Sequence, residues 1–243
     1  MNQLVRGYII KVNQYKEADA IVNLLTESGE LLAFKVRGMF KPNSKNNPSC
    51  QIFTKGEYLL DYKTDYSHKA LKSGTVLEQL NLLEKIEPNI ILGLMSEVII
   101  LIEDLEPSTR ISLFESIFML LKAQPSYLGV VLMILKYVML FTGTQLEASS
   151  CVSCGTTEKI VTLSYDAGGY LCSACNTKLN SPLKSKEYLT LFRYIMKADL
   201  DDLAKFNVAE FEANILIKDL FNYIEHSLGF KFKSRVLIET ALF

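Results

Sequence analysis

The sequence predicts an α+β multidomain protein in which a small N-terminal β-barrel precedes an α-helical domain with an inserted metal-binding ribbon. Three observations support this prediction. Residues 1–77 contain five short segments rich in β-branched and aromatic residues. From residue 78 onward, apolar residues recur at helical spacing with few glycines or prolines. Four cysteines in two C-x-x-C pairs then interrupt the helical region.

The composition is that of a globular protein with a sizeable core. Hydrophobic residues make up 49% of the 243 residues and charged residues 22%, which suits one large domain or two to three small ones. The formal net charge is -1, so the overall charge says nothing about binding partners. Residues 1–77, however, hold 11 Lys and Arg against 7 Asp and Glu. A binding site for a polyanion is therefore expected in the N-terminal third.

The N-terminal third is predicted to form five strands. They cover residues 4–12, 20–25, 31–37, 56–62 and 68–77. Gly29 lies in the loop before the third strand, at a position that favours a positive φ, and a polar loop spans residues 38–49. Five short strands fit an OB-fold barrel of the kind that binds oligonucleotides, and an SH3-like barrel fits nearly as well.

The remainder is predicted to be helical. The helices cover residues 89–103, 110–122, 127–146, 185–198, 208–228 and 234–243. Segment 126–146 is apolar on nearly every face, but Lys136 lies near its centre. A lysine at mid-bilayer costs about 3 kcal/mol on insertion scales, so we interpret the segment as a buried core helix. The N-terminus lacks the apolar core of a signal peptide, and a cytoplasmic protein is expected.

The four clustered cysteines predict a structural zinc ribbon. The predicted ligands are Cys151, Cys154, Cys172 and Cys175. Each two-residue spacer brings a pair of sulfurs to one side of the ion. Gly155 and residues 168–169 supply the backbone freedom that the tight turns need. Four protein thiols leave no coordination position open for water, so the Zn2+ is predicted to be structural. Disulfides fit poorly in a chain with no secretory signal.

The predicted domain limits follow from these segments. They are residues 1–78 for the OB-fold nucleic-acid-binding domain, 79–147 and 181–243 for the α-helical domain, and 148–180 for the zinc-ribbon insertion.

Catalytic motifs are scarce, and the sequence does not support an enzyme. It has no G-x-x-x-x-G-K-[ST] loop, no H-E-x-x-H and no H-x-E partner of a zinc deaminase. His68 lies in a predicted turn and His226 near a predicted helix end, where solvated roles are usual. Glu17 and Asp19 fit turn-capping residues. Cys50 lies in a polar loop and is expected to take no part in metal binding.

Eight cations in the N-terminal third are candidates for binding DNA. They are Arg6, Lys11, Lys16, Lys35, Arg37, Lys41, Lys45 and Lys55. The aromatic residues interleaved with them are Tyr8, Tyr15, Phe34 and Phe40. Cations that follow phosphates and flat side chains that stack on bases together form a groove for single-stranded nucleic acid. In the alternative interpretation, Tyr8 and Phe34 belong to the barrel core and the lysines to a solvated face.

The order of these parts resembles the RecO family of bacterial DNA-repair and recombination mediators. The resembling segments are 15–27 (first hairpin), 35–44 (basic segment), 151–155 and 168–175 (ribbon), and 231–235 (the C-terminal L-K-S element). The similarity spans essentially the whole chain, and its specificity lies in the order and spacing of the segments.

This resemblance implies a non-enzymatic protein that binds single- and double-stranded DNA and anneals complementary strands. It implies action with RecR, and often RecF, in placing RecA on DNA coated by single-strand-binding protein (SSB). The helical domain is the implied binding site for the tail of SSB, which is acidic and ends in an apolar residue. Binding such a tail requires a cation beside an apolar cleft. Lys231, Lys233 and Arg235 are candidates for that contact. The implied location is the cytoplasm, at the nucleoid when engaged.

Three alternatives stay open at this point. A zinc-dependent hydrolase or deaminase is the least favoured, because four thiols close the metal site. An RNA-binding transcription or translation factor would use the same barrel but exploit the 2′-hydroxyl. A protein–protein scaffold would show no salt-dependent DNA binding.

Overall fold

The computed structural model describes residues 2–62, 69–79, 85–123, 126–205 and 209–243. The chain divides into two compact units, Met1–Lys122 and Ala123–Phe243. The first unit contains a barrel and two helices, and the second contains the other helices and a two-stranded sheet. The three-domain limits derived from the sequence stay a prediction.

The barrel consists of five strands, as predicted. They are β1 (Asn2–Tyr15), β2 (Asp19–Thr26), β3 (Leu31–Val36), β4 (Thr54–Tyr62) and β5 (Lys69–Gln79). The barrel closes in the order β1-β2-β3-β5-β4, and the parallel contact of Lys35 with Ala70 joins β3 to β5. This is the strand count and closure of an OB-fold, so the predicted fold class is confirmed. His68, where the fifth strand was expected to begin, lies outside the described residues.

Period-two alternation sorts the barrel side chains between core and outer face. Ala20, Val22 and Leu24 point inward from β2 and pack with Phe34 and Tyr58. Cys50 is also fully buried in this core, whereas the sequence suggested a polar loop. The reason is a short 3-10 turn, Pro48–Cys50, which returns the loop to the barrel.

Two helices pack on the barrel within the first unit, namely α1 (Glu87–Leu101) and α2 (Pro107–Lys122). The ring of Tyr8 on β1 lies 5.1 Å from that of Phe114 and 5.2 Å from that of Phe118. The buried guanidinium of Arg110 donates to the carbonyl oxygens of Gly29 (3.0 Å) and Leu105 (2.9 Å). These contacts attach the start of α2 to the hairpin between β2 and β3.

The second unit is a helical assembly. Its helices are α3 (Tyr127–Phe141), α4 (Ser173–Leu179), α5 (Lys186–Lys197), α6 (Glu210–Leu228) and α7 (Arg235–Leu242). As predicted, α3 is buried on almost every face, but it ends at Phe141 instead of residue 146, because Thr142 caps it and Gly143 has a φ of 69°. No helix among the described residues combines the length and apolar character that crossing a bilayer requires.

Lys136 is the buried cation at the centre of α3. Its Nζ donates to the carbonyl oxygen of Ala198, at the C-terminal cap of α5, over 2.5 Å. Burial lowers the pKa of Lys136, and the nearby Asp199 and Asp202 oppose that shift. The lysine therefore joins two helices through a helix-terminal carbonyl.

The ribbon contains a two-stranded antiparallel sheet, β6 (Ile160–Ser164) and β7 (Gly169–Cys172). A hydrogen-bonded chain connects it to the helices. The hydroxyls of Tyr165 and Tyr188 lie 2.8 Å apart, and Tyr188 donates to Asp219 Oδ2 over 2.7 Å. Tyr170 donates to the carbonyl oxygen of Leu189 on α5. The ribbon is thus held on α5 and α6 by hydrogen bonds between partly buried groups.

Candidate metal centre and nucleic-acid interface

The four predicted cysteine ligands come together at one end of the ribbon. Cys151 and Cys154 lie in the turn before β6, Cys172 ends β7, and Cys175 is in the first turn of α4. All four Sγ atoms lie within 4.8 Å of one another, and those of Cys154 and Cys172 are 3.7 Å apart. Sulfurs 2.3 Å from a tetrahedral ion lie about 3.8 Å from each other. The cluster can therefore hold a metal ion of the size and geometry of zinc.

Backbone hydrogen bonds shape the first cysteine turn. Cys151 N–H donates to the carbonyl oxygen of Thr156, and Gly155 N–H donates to that of Cys151, both over 2.8 Å. Gly155 has a φ of 75°, as predicted for a tight turn. Gly169 is needed for a different reason, because a Cβ there would lie 2.6 Å from the carbonyl oxygen of Glu147.

Neighbouring groups shift the pKa values of two thiols of the cluster, Cys151 and Cys175, in opposite directions. Burial alone would raise the pKa of Cys151, but N–H groups of the two turns, led by that of Cys172, lower it to about 6. The pKa of Cys175 is raised to about 12, chiefly by the sulfurs of Cys154 and Cys172. A first thiolate thus makes further ionisation unfavourable. A divalent cation removes that obstacle, because its charge lets all four sulfurs coordinate as thiolates.

Cys50 differs from these four cysteines. It is buried in the barrel of the other compact unit, and burial raises the pKa of its thiol to about 11, with Ser49 opposing. Such a thiol packs as a small apolar side chain. The four-cysteine cluster found among the described residues leaves it out.

The turn after β1 and the loop after β3 are joined at one end of the barrel. Lys35 Nζ lies 2.8 Å from Asp19 Oδ2, and Gly38 N–H donates to Asp19 Oδ1 over 2.8 Å. Phe40 N–H donates to the carbonyl oxygen of Ala18 over 3.0 Å. The hydrogen bond from Lys35, followed by that from Gly38, lowers the pKa of Asp19. Asp19 therefore has a structural role, as expected.

Six of the eight predicted cations belong to this region. Lys35 and Lys16 place their ammonium groups 4.9 Å and 5.6 Å from the ring centroid of Tyr15. Lys11 is exposed on the outer side of β1, and the remaining cations are exposed after β3. We call this region the hairpin-end surface. Its residues are Lys11, Tyr15, Lys16, Lys35, Arg37, Phe40, Lys41 and Lys45.

The other two predicted cations face carboxylates elsewhere on the first unit. Arg6 forms an ion pair with Glu57. Lys55 Nζ lies 3.3 Å from Glu115 and 3.6 Å from Glu27, and 5.0 Å from the ring centroid of Tyr8. Arg6 and Lys55 therefore add less net positive potential than the cations of the hairpin-end surface.

The predicted aromatic residues divide equally between core and surface. Tyr8 and Phe34 are buried: Tyr8 packs on α2, and Phe34 packs 5.8 Å from the ring of Tyr58. Tyr15 and Phe40 are exposed. The alternative interpretation was thus correct for Phe34, which lies in the barrel core, whereas Tyr8 is buried against α2 and not in that core.

The three residues proposed for partner binding have unequal surroundings. Arg235 anchors α7 to α6, with 2.6 Å to Glu225 Oε2 and 2.8 Å to Asn222 Oδ1. Its Nε also donates to Glu239 over 2.8 Å. Lys231 and Lys233 are exposed. The structure therefore gives Arg235 a role in helix packing.

A cleft that the sequence did not reveal lies between the ribbon and α5. Its volume is about 470 Å³. It is lined by Thr157, Ile160, Val161, Tyr170, Leu183, Lys184, Lys186, Leu189, Thr190 and Arg193. The lining contains three cations and no carboxylate, and one of these cations, Lys184, is paired with Asp219 over 2.6 Å. In the sequence, this cleft is indicated only by Leu183, an apolar residue followed by Lys184 and Lys186. That pattern points to a binding site only once the structure shows that Leu183 is exposed.

Comparison with known proteins covers both units. Residues 1–80 match the family described as Recombination protein O N terminal, and residues 83–236 match Recombination protein O C terminal. The DNA repair protein RecO of Lactobacillus acidophilus is 23% identical over 239 residues, covering 97% of this chain and 95% of that protein. Proteins of the same name from Exiguobacterium sp. (23%; 98% of this chain, 96% of that protein) and Bacillus pumilus (26%; 94% and 90%) are similar over nearly their full lengths.

The two family matches follow each other along the chain in the same order as the barrel and the helical region of the structure. The N-terminal match covers the closed barrel, and the C-terminal match contains the four-cysteine cluster together with most of the helices. The chain belongs to the RecO family of DNA repair and recombination proteins.

Proposed function

We propose that this protein is a recombination mediator that binds single- and double-stranded DNA through the hairpin-end surface. The observation that carries the proposal is that Lys16 and Lys35 lie by the ring of Tyr15, and that hydrogen bonds join this turn to the loop that contains Arg37, Lys41 and Lys45. Two carboxylates, Glu17 and Asp19, lie in the same turn, and Asp19 is engaged by Lys35. The net charge of the surface is therefore positive, which favours binding to phosphates with release of counterions.

Annealing of complementary strands follows from this charge without any catalytic group. Two strands repel each other as polyanions, and a cationic surface that neutralises both lowers the free energy of their encounter. Base pairing then stabilises the product by about 1.4 kcal/mol per stacked step. We propose that the protein is not an enzyme, since its four-thiol cluster offers a bound ion no open position for substrate.

The metal centre has a structural role in this proposal. Cys151, Cys154, Cys172 and Cys175 would hold Zn2+ as four thiolates. The ion would close the ribbon at the end opposite the tyrosine chain that attaches it to α5 and α6.

We further propose that the second unit recruits two protein partners, RecR and the tail of SSB. This recruitment would allow RecA to be placed on DNA, in some systems with the help of RecF. An acidic tail with an apolar end needs cations beside an apolar cleft. The ribbon–α5 cleft has both, with Lys186 exposed at its rim and Leu183 beside it. Lys231 and Lys233, which are exposed, stay a second candidate for this contact. This DNA-linked role places the protein in the cytoplasm, at the nucleoid when engaged.

The test is annealing of complementary oligonucleotides across a salt series, with strands either bare or precoated with SSB. The wild type is expected to accelerate annealing of both. When the strands are coated with SSB that lacks its acidic tail, the acceleration should be lost, whereas annealing of bare strands should still be accelerated. The absence of salt-dependent DNA binding would refute the mediator role and favour a protein scaffold.

The residue-level test is the double variant Arg37→Ala/Lys41→Ala. Its affinity should fall similarly for all DNA sequences, and its slope of log affinity against log salt should decrease by about 1.4 on single strands, since each lost phosphate contact removes about 0.7. Arg6→Ala, which removes an ion-paired cation, should change the slope less. An unchanged slope in the double variant would exclude Arg37 and Lys41 from the interface.

A further inference from the structure

Two aromatic side chains of the hairpin-end surface are exposed among cations. Tyr15 is 43% exposed and Phe40 is 45% exposed, whereas Tyr8 and Phe34 are only 3% and 2% exposed. Single exposed apolar side chains are common on protein surfaces. Here, however, two flat rings occur on two segments that are bonded together, and lysines accompany them.

The segments that carry these rings are held in place. The hydrogen bond from Phe40 N–H to the carbonyl oxygen of Ala18 joins the loop directly to the turn. Asp19 adds a second connection by binding both Lys35 and the N–H of Gly38. Because these contacts order the backbone before any ligand arrives, binding loses less conformational entropy.

The lysines around Tyr15 suit a nucleotide. The ammonium groups of Lys35 and Lys16 lie 4.9 Å and 5.6 Å from its ring centroid. A cation over an exposed ring is only weakly attracted to it, so a base can take its place on the ring. The displaced ammonium of Lys16 then has the phosphate of the same nucleotide as its partner.

We propose that Tyr15 and Phe40 stack on unpaired bases and make the hairpin-end surface selective for single strands. This inference rests on the proposed DNA-binding function and names the residues that distinguish one DNA form from another. In a duplex each base is covered by its neighbours, so the rings gain a stacking partner only on an unpaired strand. The cations contact phosphates in both forms.

The experiment compares the variant Tyr15→Ala/Phe40→Ala with the wild type by fluorescence anisotropy. The probes are an oligothymidine, an abasic strand of the same length and a duplex, each measured across a salt series. Oligothymidine affinity should fall at least about tenfold, because each stacked base contributes appreciably to binding. Affinity for the abasic strand and the duplex should stay within about twofold, and all salt slopes should be unchanged, because no phosphate contact is removed.

Two further variants serve as controls. Tyr15→Phe/Phe40→Tyr keeps both rings and should bind oligothymidine like the wild type. Phe211→Ala removes a ring from α6 that is 72% exposed, and it should change nothing. Thermal unfolding of each variant checks folding, and if the double variant does not fold, the single variant Tyr15→Ala is used with the same expectations.

Either of two results with the double variant would overturn the stacking proposal. One is an unchanged oligothymidine affinity, and the other is an equal loss on all three probes. A wild type that binds oligothymidine and the abasic strand equally well would also refute stacking while leaving the DNA-binding role intact. A wild type that binds no probe in a salt-dependent manner would refute the DNA-binding role itself.

Discussion

At the scale of single residues, the five cysteines show how position decides chemistry. Four of them share one small volume, in which neighbouring groups lower the pKa of Cys151 and raise that of Cys175. The fifth, Cys50, lies in an apolar core where its thiolate is disfavoured. The same side chain therefore belongs to a cluster that could hold a metal ion in one unit and is a packing residue in the other.

The cysteine prediction concerns Cys154→Ser. This change should remove bound zinc and lower the thermal stability of the second unit, because metal binding and folding of such a site are one process. Cys50→Ala is the matched control and should keep the full zinc content, although the small cavity it leaves lowers the stability of the barrel. The measurements are metal analysis of the purified protein and thermal unfolding. A Cys154→Ser protein with one zinc per chain and wild-type stability would contradict a four-thiol site.

At the scale of elements, the hairpin between β2 and β3 connects the barrel to α2. Gly29 has a φ of 83°, and its carbonyl oxygen accepts a hydrogen bond from Arg110. The same residue lies against the backbone of Pro107, the first residue of α2, leaving no room for a side chain. The sequence predicted a turn at this glycine, but it did not predict that the turn also contacts α2.

Gly29→Ala is therefore expected to destabilise the first unit strongly. The new Cβ would overlap the carbonyl oxygen of Pro107, and backbone overlap adds to the strain of a positive φ. Gly143→Ala is the matched control, since its φ is 69° and a Cβ there meets nothing within 4 Å. It should cost only about 1 kcal/mol, against more than about 3 kcal/mol for Gly29→Ala. Urea unfolding measures both, and equal losses would show that the contact with Pro107 does not matter.

At the scale of the whole molecule, buried tyrosines occur in both units. Burial is the largest cause that raises the pKa of Tyr8 and that of Tyr170, each to about 12. It also raises the pKa values of Tyr58, Tyr165 and Tyr188. In the unfolded chain these phenols have the ordinary value of 10.0. Their contribution to stability is therefore complete below pH 10 and declines as the pH rises above it, because only the unfolded chain then loses protons.

Alkaline titration should thus unfold the protein in the same pH range in which tyrosine ionises. Each buried tyrosine lowers the free energy of unfolding by about 1.4 kcal/mol for every pH unit above its unfolded pKa, until the folded pKa is reached. Tyr188→Phe should lower stability at neutral pH, because Asp219 loses a hydrogen bond, and should make the alkaline decline shallower. The measurements are circular dichroism and tyrosinate absorbance over the same titration. Stability that is constant through the tyrosine range, or an unchanged decline in Tyr188→Phe, would contradict this assignment.

Much of the fold and of the metal centre could be predicted from local patterns. Alternating apolar residues predicted the barrel strands, and the cysteine spacing predicted a cluster that the structure confirms. The predicted end of α3, residue 146, was wrong by five residues, because Thr142 caps the helix after Phe141 and Gly143 has a positive φ. The burial of Cys50 was missed because a short turn, and not a periodic element, brings it into the core.

The sequence by itself determined the strands, most of the helices, the cysteine cluster and the family, because periodicity and ligand spacing are local properties of the chain; α4, inside the predicted ribbon, was missed. Only the tertiary structure decided which of the interleaved cations and aromatic residues are exposed together. Arg6 and Glu57 are 51 residues apart along the chain, and Tyr8 is covered by a helix that begins about a hundred residues later. Ion pairing and burial depend on such distant neighbours, which strand pairing and helix packing bring together and local sequence does not encode.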